Sequence, residues 1–101
     1  MSEPTIKIEF NNMAYLNNET LDEYFSDNFE YVELFHNPDE NKLGFSEVEE
    51  PTDNSFLVYT HDEEGAVIDI DYMVGFMNID VDSEVREYTP SREGDIVFVQ
   101  L

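Results

Sequence analysis

The chain contains no cysteine, so disulfides and thiolate metal sites are excluded. Basic residues are nearly absent: Lys7, Lys42, Arg86 and Arg92 face 25 Asp and Glu, and the formal net charge is -21. Four cations cannot form the phosphate-tracking stripe that supplies most of the affinity for nucleic acid, which argues against direct DNA binding. Alanine is almost missing as well, with only Ala14 and Ala66. No apolar run approaches the ~20 residues of a membrane helix, so no membrane association is expected. Met1-Ser2-Glu3-Pro4 has neither a basic nor an apolar leader, so a location in the cytoplasm or within a virus particle is expected.

What is present can fold. Hydrophobic residues make up 41% and aromatics 14% of the 101 residues, too apolar for a disordered acidic tail. The length suits one small domain with one core. The carboxylates are spread along the chain, so nearly every exposed face should be negative. That field opposes compaction in dilute buffer and is screened at molar salt, where the Debye length is about 3 Å. Two readings of the acidity compete: adaptation to brine, and a functional negative surface. The alanine scarcity fits poorly with a typical haloarchaeal composition. A virus or mobile element of a halophilic host reconciles the two.

The sequence nearly repeats at an offset of 52 residues. Ala14 aligns with Ala66, Leu16 with Ile68, Leu21 with Met73, Tyr24 with Phe76, Phe25 with Met77 and Pro38 with Pro90. The offset then grows by one, and Leu43 and Phe45 align with Ile96 and Phe98. Ile6, Ile8 and Phe10 alternate with Lys7 and Glu9, the period of a half-buried strand. Asn11-Asn12 is a turn, and Ala14 to Leu16 a short strand. Asn17 or Asn18 caps a helix whose face is Leu21, Tyr24 and Phe25. Tyr31 to His36 and Lys42 to Val48 are strands around the turn at 37–41. Residues 49–54 are polar and aperiodic and read as a linker. In the second copy, Phe56 to Thr60 and Val67-Ile68 are strands. Asp69 or Asp71 caps a helix with Met73, Phe76 and Met77 on its face. Val85 to Tyr88 and Asp95 to Leu101 are strands, and Thr89 to Gly94 a turn.

The expected fold is therefore mainly β with two short helices, a single domain over residues 1–101. It holds two tandem β-β-α-β-β units, 5–48 and 55–101. A unit of roughly 45 residues buries too little to stand alone, so the two should interlock around one core.

This order resembles the AbrB/MazE-like swapped-hairpin family over nearly the whole chain, in a tandem, pseudo-dimeric form. The residues that carry the resemblance are Ile6 to Phe10, Asn12 to Asn17, Leu21 to Phe25, Tyr31 to Phe35 and Lys42 to Phe45. The resemblance implies an interlocked barrel and a DNA-associated role as transcriptional regulator or antitoxin. Where that family carries basic residues, this chain has Asn11, Asn12 and Met13 in its first turn and Asp62, Glu63 and Glu64 in its second. Those six residues form the candidate interaction surface.

Glu47, Glu49, Glu50, Asp69, Asp71, Asp80, Asp82 and Glu84 are candidate phosphate mimics, if the chain imitates DNA to block a nucleic-acid-binding protein. The plainer reading of such runs is a solvated acidic face. Asp80-x-Asp82-x-Glu84 lacks the glycine and terminal glutamate of a calcium loop, so no metal site is expected. His36 and His61 lack ligand spacing and read as solvated histidines beside carboxylates. Arg86 and Arg92 read as partners of nearby carboxylates. No nucleophile, phosphate-loop or dinucleotide motif is present, so neither catalysis nor a cofactor is expected.

Tyr15, Phe29, Tyr31, Phe35, Tyr59 and Tyr88 divide between core and contact surface. Ile96-Val97-Phe98-Val99 is apolar on both faces, which marks a central strand or one covered by another subunit. The expected function is non-catalytic protein–protein contact, with a protein partner and self-association through this last strand.

Overall fold

The computed structural model describes residues 3–9, 12–26, 29–61, 65–77 and 86–101, with the backbone alone for residues 60, 61, 76, 77 and 86. Strand β1, Ile6–Ile8, buries both isoleucines completely and turns Lys7 outward. The chain reverses through Asn12, which takes a left-handed φ of 60° that asparagine tolerates better than most residues. Strand β2, Met13–Leu16, returns with Ala14 and Leu16 buried.

Helix α1, Asn18–Tyr24, starts where expected: the Asn17 side chain accepts from the Thr20 amide at 2.9 Å. The same oxygen accepts from the Thr5 amide at 3.1 Å, and the Asn17 amide group donates to the Glu3 carbonyl at 2.8 Å. The one fully buried helix residue is Thr20, whose hydroxyl lies 2.9 Å from the Thr5 carbonyl and 2.7 Å from Asn17 Oδ1. Phe25 falls just beyond the helix: its backbone is extended, though its amide still bonds the Leu21 carbonyl. That turn of the chain stacks the Phe25 ring on Phe29, with centroids 4.1 Å apart.

Strands β3, Tyr31–Asn37, and β4, Lys42–Val48, form a seven-pair antiparallel hairpin. Asn37 Oδ1 accepts from the amides of Asp39 and Glu40, and Asn41 takes φ 51°, so the turn chemistry is that of its Asn and Asp residues. After residues 49–54 come β5, Ser55–His61, and β6, Gly65–Asp69. Gly65 has φ +91°, and a Cβ there would lie 2.0 Å from the Leu16 carbonyl oxygen, so glycine is required. Helix α2, Asp71–Met77, follows. Its first bond runs from Val74 N–H to the carbonyl of Ile70, whose buried side chain cannot cap. Asp69 does so from one residue further back, accepting from the Asp71 amide at 3.0 Å.

The last segment departs from expectation. Thr89 to Gly94 is not simply a turn. Strand β7, Arg86–Tyr88, pairs with β1, and a further strand, β8, Ser91–Glu93, pairs with β9, Ile96–Gln100. Pro90 has no N–H to extend a ladder, so the chain changes neighbours around it. The reversal shrinks to Gly94-Asp95, with φ +58° at the glycine.

The nine strands make one curled antiparallel sheet, a half-barrel, in the order β7-β1-β2-β6-β5-β3-β4-β9-β8. Its buried face gathers one cluster including Ile6, Leu16, Val32, Phe45, Ile68 and Val99. Residues before and after the 49–54 connection therefore share a core. No helix among the described residues is long and apolar enough to cross a membrane.

Candidate interaction surface

Strand alternation decides which side chains leave the core. In β5, Val58 points inward at 7% exposure, so Leu57 and Tyr59 point outward and stand 48% and 53% exposed. In β3, Val32 and Leu34 are buried and Phe35 is 44% exposed. Tyr72, in the first turn of α2, is 69% exposed. These four are the large apolar side chains that the described surface exposes: Leu57, Tyr59 and Tyr72 border one groove, while Phe35 borders two others, one shared with Tyr72 and one with Gly44, Ile96 and Phe98. A groove of about 380 Å3 is lined by Phe56, Leu57, Tyr59, Tyr72, Asp69 and Asp71. A second, of about 590 Å3, shares Phe56 and Tyr72 with it and extends past Phe35, Glu33 and Asp53.

The rim is acidic, and no Lys or Arg is among the described residues that line either groove. Its carboxylates are held in place. Asp71 Oδ1 accepts from the Asn12 side-chain amide at 2.8 Å, Asp69 Oδ1 from the Asp71 backbone, and Glu33 Oε2 from the Thr52 hydroxyl at 2.7 Å. Strand pairing places Met13 opposite Asp69. Asn12, Met13, Asp69 and Asp71, which the sequence offered as two separate sets, are thus neighbours.

Other candidates lie apart. Glu47 accepts from the Ser26 amide at 2.9 Å and from its hydroxyl. It lines a polar cleft of about 800 Å3 with Glu30, Glu49, Asp95, Arg92 and Tyr24. Glu50 is exposed in the β4–β5 connection. Asn11, Asp62, Glu63, Glu64, Asp80, Asp82 and Glu84 fall outside the described residues, as do the side chains of His61 and Arg86.

The described cations are engaged within the chain. Lys7 lies 3.9 Å from Glu9. Lys42 lies 3.3 Å from Glu40 and 3.7 Å from Glu93, with its ammonium 4.5 Å above the Phe98 ring. Arg92 departs from expectation: its Nε donates to the Gly94 carbonyl at 3.1 Å, and it forms no ion pair with a described carboxylate. His36 is half-buried, with Nε2 3.2 Å from Asn41 Oδ1. Among the described residues, no group of three or more His, Asp or Glu is placed to hold a metal.

The last strand is paired within the chain on both edges. β9 pairs with β4 on one side and β8 on the other. Val97 and Val99 enter the core, while Ile96 packs against Gly44 and Phe98 lies under Lys42. Its pairing on both edges is that of an internal strand, and on its outer face the half-buried Ile96 and Phe98 border a groove of about 170 Å3 with Phe35 and Gly44. The similar run Phe56-Leu57-Val58-Tyr59 has another outcome, because Leu57 and Tyr59 stay about half exposed on the outer face of β5. Leu57 and Tyr72 were not among the aromatic and apolar candidates read from the sequence, and this run was the available sign for the first. Phe29 is core and Tyr88 packs against it, whereas Tyr15 and Tyr31 are half-buried.

No protein-family model matches the chain, and neither does any curated protein or solved structure.

Proposed function

We propose that this chain is a non-catalytic acidic interaction module, built as two interlocked β-β-α-β-β units in the manner of AbrB-like swapped hairpins, and acting by protein–protein contact. The observation that carries the functional part is the grouping of exposed Leu57, Tyr59 and Tyr72 in one acid-rimmed groove. Exposed apolar side chains gathered in one patch mark contact sites far better than the same residues scattered singly. Aromatic residues are also enriched in protein interfaces.

The interlocked architecture draws support from the strand partners. In the repeat, β1 corresponds to β5, β2 to β6, β3 to β7 and β4 to β9. The pairs β2–β6 and β4–β9 join corresponding strands, and β1–β7 mirrors β5–β3.

The local engagement of Lys7, Lys42 and Arg92 favours a protein partner over duplex DNA. The test is affinity capture from lysate of the source cells, with the intact chain and with Leu57→Ser/Tyr59→Ser, beside an electrophoretic shift assay on duplex DNA across salt concentrations. The expected result is a protein retained by the intact chain, lost with the double variant, and no shifted DNA. A salt-sensitive DNA shift without a retained protein would return the chain to a regulator's role.

A further inference from the structure

The two adjoining grooves pair an apolar floor with an anionic rim. We propose that the two adjoining grooves are a docking site for a cationic segment of a partner protein, with apolar anchors interleaved among its Lys or Arg residues. The proposal rests on the reading of the chain as a protein-interaction module, and goes further by naming the partner's chemistry and its seat.

The floor calls for apolar side chains. Leu57, Tyr59 and Tyr72 expose about half of their surface or more, around the half-buried Phe56. The rim calls for cations. Asp69, Asp71, Glu33 and Asp53 border the grooves, with no Lys or Arg among the described lining residues. Three of these carboxylates have one oxygen occupied by a neighbour in the chain. A carboxylate offers about four lone-pair sites, so one such hydrogen bond leaves capacity to accept from a guanidinium or ammonium. Because they are already positioned, little further ordering is needed on binding. Tyrosine faces beside the carboxylates suit the same cations, which are drawn to aromatic rings.

Charge complementarity also argues against the alternatives wherever salt does not screen it. A second copy would bring its own net charge of -21 to an anionic rim. Nucleic acid and anionic lipid surfaces would meet the same repulsion.

The experiment is a fluorescence anisotropy titration of the full chain with a labelled short peptide alternating Lys and Leu. Two control peptides replace Lys with Glu, or Leu with Ser. Leu57→Ser/Tyr59→Ser removes the floor, through outward-facing side chains. Asp69→Asn/Asp71→Asn removes rim charge and keeps a side-chain oxygen for the helix-start hydrogen bonds. Glu49→Gln/Glu50→Gln removes the same amount of charge elsewhere, and circular dichroism checks that every variant folds.

The Lys–Leu peptide should bind best. Its Kd should rise about tenfold with the floor variant and severalfold with the rim variant, and should hold with the Glu49/Glu50 control. Equal weakening by the two charge variants, or indifference to the floor variant, would overturn the proposal in favour of a diffuse field. Tighter binding of the Glu–Leu peptide would overturn it as well, and so would a dimer, seen in sedimentation, that the floor variant dissociates. Retention of a cellular protein through Leu57 and Tyr59, with no affinity for the Lys–Leu peptide, would leave the interaction module standing and remove only its cationic partner.

Discussion

The side-chain amide of Asn12 donates to the carboxylate of Asp71 at 2.8 Å, across 59 positions of sequence. The Asn12 carbonyl also accepts from the Ile70 amide at 3.0 Å. One turn residue therefore fixes the start of a helix in the other half of the chain, and with it the carboxylates that border the exposed aromatic floor. Asn12→Ala should lose about 1–2 kcal/mol, because it removes the amide and forces alanine into a left-handed conformation. Asn12→Gly relieves only the backbone cost and should fall between. Urea unfolding of the three proteins at constant salt measures this, and identical midpoints for Ala and Gly would assign the whole loss to the amide.

Asn17 anchors the N-terminal segment to α1 through Thr20, Thr5 and Glu3. Asn17→Ala should cost about 1–2 kcal/mol, the upper range for a lost helix cap. Asn17→Asp keeps the accepting oxygen, loses the donation to Glu3, and should retain most of the stability. Thermal unfolding of the pair checks the ranking; equal Tm values would mean that the cap oxygen contributes nothing.

Gly44 sits between Phe35 and Phe98 on the outer face, and a Cβ on it would lie 2.8 Å from Ile96 Cγ2. Gly44→Ala should destabilise by about 1–3 kcal/mol, as overpacking does. Ile96→Ala in the same chain should recover part of that loss, since it removes the offending methyl. A double-mutant cycle reads the coupling, and additive losses would show that the two positions do not collide.

The net charge of -21 opposes compaction, and only Lys7 and Lys42 form ion pairs among the described residues. Folding should therefore strengthen as salt rises toward about 1 M, where the Debye length approaches 3 Å. Far-UV circular dichroism and urea midpoints against NaCl measure this. A chain fully folded and equally stable in dilute buffer would remove the case for adaptation to brine.

Much of the fold is legible because local alternation carries it. Ile6 and Ile8, Ala14 and Leu16, and Val32 and Leu34 alternate with other residues in segments that read as strands, and all are buried. The cap at Asn17 and the turn at Asn37 are legible for the same reason, since each asparagine oxygen reaches an amide two or three residues on. Strand β8 was hidden: Pro90 and Gly94 both signal a turn, and the short strand between them exists only because β9 lies alongside. Thr20 was hidden as well. A polar residue in the core is stable only if its hydroxyl is satisfied, and its partner comes from the segment before β1.

The interaction surface was the least legible part. Phe56-Leu57-Val58-Tyr59 and Ile96-Val97-Phe98-Val99 have the same apolar pattern, yet Leu57 and Tyr59 are exposed on the outer face of one while Ile96 and Phe98 are half-buried on that of the other. Lys42, Gly44 and Phe35 make the difference, and they come from strands far away in sequence. By itself, the amino-acid sequence determined the acidity, the strand and helix periods, and the caps and turns, because each depends on composition or on residues within a few positions. Which strands became neighbours, which apolar faces stayed open, and which carboxylates came to border them were decided by the tertiary structure alone. Those outcomes depend on long-range pairing, which no local pattern encodes.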